Sequence, residues 1–259
     1  MDAEQFAQEM AGSEGHRWQI LMYLGQTKRL VLEGTSEQRP TGMIGTPGNV
    51  FLVFEDVSRI RLPLVVRDAR FSMGEGSFRG LERRSLRIQI ESECATYFVE
   101  CGSFHFYPQS PRLYRPYPLP GTGFPRAPYV KLHQAEEWFR VLHGAALHWR
   151  SLAATHGRCQ FLAELPEGRR YRVGLLATSY YDLRPTLRDV QVRQLDAAEL
   201  AELAGSLAPR LQRSLSQDSF LAIASEGHTY GVMGTIIALE EAPPLEDEHW
   251  MDYSGPLWG

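Results

Sequence analysis

The sequence predicts an α+β protein. Its first part reads as an antiparallel β-meander, curled into a barrel or sandwich and closed by a long helix. A smaller α+β half with hairpins around one helix follows. Three observations predict this. Short apolar segments bounded by turn residues recur up to residue 107; a three- and four-residue apolar period fills 131–156; and strand-like segments flank one capped helical run after 158.

The elements follow in order. Residues 2–11 (DAEQFAQEMA) read as a short helix with Phe6 and Met10 on one face. Strands are expected at 17–24 and 28–33, joined by Gly25-Gln26-Thr27, then at 50–55 and 58–66 beyond the Gly/Pro/Thr-rich 41–48. The clearest is 85–91, where Leu86, Ile88 and Ile90 alternate with Ser85, Arg87, Gln89 and Glu91, the pattern of a half-buried strand. Segments 95–101 and 103–107 continue the meander. Seven prolines then fall within 108–128, and proline cannot donate to a central ladder. That stretch reads as a surface crossing or linker, or as a polyproline recognition segment displaying Tyr114, Tyr117 and Tyr129.

Leu132, Ala135, Phe139, Leu142, Ala146 and Trp149 recur at helical steps, with Gly157 as a stop. Beyond it, Pro166-Glu167-Gly168 marks a hairpin, and 189–195 reads as a strand. Asp196 with Glu199 starts a helix by a capping box, which Pro209 kinks or restarts. Segments 220–225 and 230–239 close the fold around Glu226-Gly227-His228. The expected organisation is a mainly-β half at 1–130 containing the Pro-rich 108–128, a connecting amphipathic helix at 131–157, an α+β half at 158–241, and an acidic aromatic tail at 242–259.

A run of strands followed by one amphipathic helix carrying Glu136-Glu137-Trp138 resembles a pleckstrin-homology-like domain over residues 15–150. The resemblance implies a closed barrel capped by a helix with a buried tryptophan. It assigns no function.

Composition bounds the function. The 259 residues are 43% apolar and 22% charged, as in an ordinary folded protein. No apolar run approaches the roughly 20 residues that span a bilayer, and MDAEQFAQEM lacks the basic region of a secretory signal. Cys94, Cys101 and Cys159 are an odd, sparse set with no CxxC. A reducing, cytoplasmic compartment is therefore expected. Only Lys28 and Lys131 are lysines among the 27 basic residues; the rest are arginines, and Arg alone makes planar bidentate contacts to carboxylates and phosphates. Segment 214–259 has no Lys or Arg, so an acidic end follows a mildly basic body.

Several chemistries have no motif here. There is no HExxH, and the four histidines of the expected long helix (His133, His143, His148 and His156) do not share a face; metals and cofactors are expected to be none. GxxxxGK[ST] and GxSxG are absent, and Gly74–Gly80 misses the dinucleotide spacing by one residue. A dispersed site with His228 as base, partnered by Asp182 or Asp218 and near Tyr180, Tyr181 and Tyr230, stays open as a hydrolase alternative.

Two surfaces carry binding signals. Arg59 and Arg61 share one strand face, and Arg87 lies on the polar face of its own strand, with Arg67, Arg70, Arg79, Arg83 and Arg84 nearby in sequence. Such a face suits phosphate, lipid headgroups, nucleic acid or an acidic protein, or is simply paired with Glu55, Asp56, Asp68, Glu82 and Glu91. The net charge of −4 argues against strong nucleic-acid binding. The tail sets Trp250, Tyr253 and Trp258 among acids, as a partner anchor or a segment that packs back on its own body. The sequence thus favours a non-enzymatic interaction subunit or accessory protein of a larger bacterial-type assembly, with another protein as partner. An anionic-ligand binding module is the other alternative.

Overall fold

The computed structural model describes residues 3–11, 13, 15–25, 27–36, 49–76, 85–92, 95–107, 125, 128–153 and 157–242. The first half runs α1 (Ala3–Ala11), β1 (His16–Leu24), β2 (Arg29–Ser36), β3 (Val50–Glu55), β4 (Arg59–Pro63), β5 (Val65–Val66), β6 (Arg70–Glu75), β7 (Leu86–Ser92), β8 (Ala95–Cys101) and β9 (Ser103–Tyr107). The second runs β10 (Val130–Lys131), α2 (Glu136–Val141), β11 (Ala146–Ala153), β12 (Arg158–Glu164), β13 (Arg170–Leu176), β14 (Tyr180–Leu183), β15 (Thr186–Leu187), β16 (Gln191–Arg193), α3 (Ala197–Gly205), α4 (Pro209–Gln212), β17 (Phe220–Ser225), β18 (His228–Met233) and β19 (Ile236–Glu241).

The strands form two open antiparallel sheets. The larger runs β10-β19-β13-β12-β11-β1-β2-β3-β9, with β5 and β15 paired to β1 and β11. The smaller runs β16-β17-β18-β14-β4-β8-β7-β6. Their inner faces share one core, in which Trp149 of β11 stacks on Tyr23 at 3.6 Å and lies 6.2 Å from Tyr181 of the facing sheet.

The α+β class stands, but the closed, pleckstrin-homology-like barrel with its long helix does not. Neither sheet closes on itself. The expected helix at 131–157 is instead a 3-10 turn at Leu132–Gln134, the short α2 and the strand β11. Gly144 takes φ +77 and ends the helical stretch. In β11, Leu147 and Trp149 are buried on one face and Ala146 lies on the other, so the three-residue step from Ala146 to Trp149 is not a shared face. The histidine argument falls with it: His133 lies on the 3-10 turn, His143 follows α2, and His148 is on β11.

Other local signals are seen as read. Glu226 and Gly227 both take positive φ, the type I′ geometry of a two-residue hairpin between β17 and β18. Asp196 and Glu199 form the reciprocal capping box of α3, and Pro209 opens α4 as its first residue.

The two halves are the same structure twice. The bulge between Ile20 and Met22 of β1 recurs between Trp149 and Ser151 of β11. The bond from Ser58 N to Glu100 O recurs from Ser179 N to Met233 O, and that from Ile20 N to Leu64 O recurs from Trp149 N to Pro185 O. Ser92 Oγ bonds Arg67 O as Ser225 Oγ bonds Arg188 O. Asp68 and Asp189, each following an arginine, both take φ 48. The equivalent pairs Tyr23–Leu152 and Arg61–Asp182 face each other across β1–β11 and β4–β14, so a local two-fold axis passes through both sheets. The halves differ where their connections differ. Residues 76–85 join β6 to β7, whereas 194–219, holding α3 and α4, join β16 to β17.

Trp149 contacts both sheets beside this axis. Trp149→Ala should therefore lower unfolding free energy by about 3–5 kcal/mol in urea denaturation. A loss under 1 kcal/mol would show that the core does not converge on it.

Candidate functional site

The outer face of the smaller sheet collects the charged residues of the first half. Period-two alternation sends Ile60, Leu62, Ile88 and Ile90 into the core and turns Arg59, Arg61 and Arg87 outward. Register aligns them in two rows: Arg59, Glu100 and Arg87 across β4, β8 and β7, and Asp182, Arg61, Phe98 and Gln89 across β14, β4, β8 and β7.

Cations and rings alternate along this face. The Arg87 guanidinium lies 3.9 Å from the Phe98 ring centroid, and Arg59 lies 5.3 Å from Phe98 and 5.4 Å from Tyr230. Arg184 lies 5.5 Å from the other ring of the series, Tyr230. Each such contact contributes about 0.5–2 kcal/mol and stiffens a long side chain. Acids complete the ladder: Arg59 pairs with Asp182 at 3.2 Å, Arg87 with Glu100 at 3.8 Å and Arg184 with Glu226 at 3.7 Å. Arg61 donates from Nε to Tyr180 Oη at 3.0 Å and from Nη2 to Ser206 Oγ at 2.7 Å. Arg87 and Arg184 each keep 38% of their side chains exposed, so they remain accessible from solvent. The Tyr230 hydroxyl is buried and takes no hydrogen bond among the described residues.

Burial, the largest influence, pushes the Asp182 carboxyl up from its ordinary value, and Arg59, Arg61 and Arg184 pull it back down. At the far end, the Arg193 hydrogen bond holds Glu199 down to about 2.

The structure brings Arg59, Arg61 and Arg87 onto one face. Their acidic neighbours are not the ones sequence proximity offered; Glu55, for example, pairs with Arg29 at 2.6 Å. Phe98 and Arg184 were missed, and Asp182 and Tyr230 had been grouped with His228. Phe98 and Asp182 reach the face through long-range register, and Tyr230 and Arg184 join it by the ring contacts of Arg59 and Arg184, none of which a local pattern encodes. Arg67 and Arg70 are described at and beside β6, whereas Arg79, Arg83 and Arg84 lie outside the described residues, as do Trp250, Tyr253, Trp258, Cys94 and most of the proline-rich stretch.

His228 begins β18 at the tip of its hairpin, exposed, with its ring 6.2 Å from that of Tyr230. Among the described residues no acid pairs with it, and Asp218 sits instead 3.7 Å from His133. A depression of roughly 270 Å³ is lined by Glu136, Phe139, Arg140, His143, Val192 and Arg193 and does not include His228. Burial pushes the Cys101 thiol up to about 12 and raises Cys159 further. Among the described residues no group of three or more His, Cys, Asp or Glu is placed to hold a metal ion. Nor is any described helix long and apolar enough to cross a membrane.

No protein-family model matches the chain, and no curated protein matches it. A solved structure it aligns with is a DnaN sliding clamp (DNA polymerase III subunit beta) from Bartonella birtlesii bound to griselimycin. The identity is 11% and the TM-score 0.15, over 91% of this chain and 63% of the clamp chain. The chain thus spans less than two thirds of that protein's length, and a TM-score this low carries no argument about fold or role.

The raised Asp182 value sets a pH signature. Because its folded value lies above the unfolded one, the folded state holds the proton more tightly. Stability from this group is present at low pH and lost as pH rises through the folded value. Urea midpoints of wild type relative to Asp182→Asn should fall from pH 3 upward and then level off. A relative stability that instead rises with pH would mean that Arg59 and Arg61 outweigh burial.

Proposed function

We propose that this chain is a non-enzymatic interaction subunit or accessory protein of a larger assembly. It docks an acidic partner protein on the arginine–aromatic face of its smaller sheet. The observation that carries the reading is the ladder Arg87–Phe98–Arg59–Tyr230–Arg184, left open by the described residues on one half of a sheet whose other half α3 covers.

The covering is visible in the bonds of α3. Arg193 and Arg61 both point away from the larger sheet and bond Glu199 at 2.6 Å and Ser206 at 2.7 Å. The helix therefore crosses the outer face from β16 to β4. Beneath it lie Phe220, Met233 and Tyr180, all buried. The two-fold axis relates these three to Arg87, Glu100 and Arg59 of the open half. One scaffold thus places apolar side chains where its own helix covers it and charged ones where it is open. Fixed guanidiniums over rings are suited to carboxylates, because their geometry is set before binding. The same chemistry would serve a small anionic ligand. An extended face without an enclosing wall suits a protein surface better.

Native mass spectrometry of the chain isolated gently from its host should show stoichiometric protein partners. Arg59→Gln with Arg87→Gln should weaken that association at least about tenfold, with a shallower salt dependence, while Arg140→Gln on exposed α2 leaves it intact. Partners retained in full by the Arg59/Arg87 variant would remove the face from the account, and a bare monomer from wild type would remove the assembly.

A further inference from the structure

The two-fold comparison also says what kind of segment fits the open half. On the covered half the scaffold accepts α3, in which Asp196, Glu199 and Glu202 alternate with Leu200 and Leu203. Its acid reaches an outward arginine: Glu199 Oε2 accepts from Arg193 Nη1 at 2.6 Å. Its leucines pack partly buried against the core cluster. The occupant that works on this face is therefore short, acidic and apolar by turns. The equivalent connection of the open half, residues 76–85, has 10 residues against the 26 that hold α3 and α4.

We propose that the open half is the acceptor for this chain's own C-terminal segment, residues 243–259. This deepens the docking reading above and rests on it.

Three observations favour that occupant. The first is charge complementarity. The segment carries Glu246, Asp247, Glu248 and Asp252 and no Lys or Arg, while the open half presents Arg87 and Arg184, each 38% exposed beside its own acid, with Arg59 between them. The second is its apolar content: Trp250, Met251 and Tyr253 follow the acids directly, the composition that packs against an arginine–aromatic ladder. The third is reach. The chain leaves β19 at Ala242, whose N–H bonds Arg170 O at the edge of the larger sheet. The 17 residues beyond it extend up to about 55 Å, longer than the roughly 45 Å breadth expected of a body this size. A tail seated on the open half would compete with an acidic partner for the same arginines. Partner binding would then release the tail.

The test uses full-length chains and a fluorescent synthetic peptide of residues 243–259. The probe should bind the E246Q/D247N/E248Q/D252N variant at least about tenfold more tightly than wild type, whose own tail occupies the face. Adding Arg59→Gln and Arg87→Gln to that variant should abolish binding, as should replacing the peptide's four acids by amides. Equal probe affinity for wild type and the tail variant would overturn the proposal. If in that case the Arg59/Arg87 variant still loses its protein partners, the docking face itself stands. Undiminished probe binding to the arginine variant would place the tail elsewhere and overturn it too. A wild type that sediments as a dimer, and dissociates when its tail acids are neutralised, would assign the tail to a second copy instead.

Discussion

The structure depends on strand pairing across the local two-fold axis. β1 pairs with β11 and β4 with β14, each antiparallel and each bringing equivalent residues face to face. These two ladders join the halves into continuous sheets and fix the register of everything outward from them. Because side chains alternate along a strand, a slip of one residue at β4–β14 would turn Arg59, Arg61 and Asp182 into the core and Ile60, Leu62 and Tyr181 out to solvent. The cost of burying those charges keeps the register single-valued. Arg61 sits on the axis itself, opposite its own equivalent, Asp182. The equivalents that meet at the axis of the smaller sheet are thus of opposite sign, and the scaffold is electrostatically matched at its centre.

An internal two-fold repeat whose halves differ in one connection explains the shape of the candidate site. In the second half, 26 residues between β16 and β17 build α3 and α4 over the outer face; in the first, the equivalent connection is short. Equivalent positions differ to suit. Phe220, Met233 and Tyr180 are buried beneath α3, while Arg87, Glu100 and Arg59 meet solvent or one another. The same sheet thus offers a built example of how its face is covered and an open face that is chemically distinct from it.

Local elements were legible in the sequence to the extent that their periodicity was clean. Leu86, Ile88 and Ile90 announce β7, and Asp196 with Glu199 announces α3, because these signals depend on neighbours within a few residues. The stretch 131–157 was not legible as it stands. The helical period joined Leu142 at the end of α2 to Ala146 and Trp149, which stand on opposite faces of β11, so a short helix and a strand read as one run. The internal repeat was hidden because its halves share geometry more than side chains: Arg59 is equivalent to Tyr180 and Phe98 to Gly231. The Arg67-Asp68 and Arg188-Asp189 pairs are the longest run the two halves visibly share beside scattered single identities such as Ser58 with Ser179 and Ser92 with Ser225. For the site, alternation alone turned Arg59, Arg61 and Arg87 outward, but Phe98, Asp182, Arg184 and Tyr230 join them by pairings between residues far apart in the chain. Sequence proximity had assigned Tyr230 and Asp182 to His228; register assigns Asp182 to Arg61, and ring contacts assign Tyr230 to Arg59 and Arg184.

The most direct test of the central claim is hydrogen–deuterium exchange of the chain in its native complex, compared with the isolated chain whose tail acids are neutralised by E246Q/D247N/E248Q/D252N. The account predicts added protection in β4, β7 and β8, residues 59–63 and 86–101, with β17 beneath α3 unchanged. Protection confined to α3 and β17, or to the larger sheet alone, would contradict it.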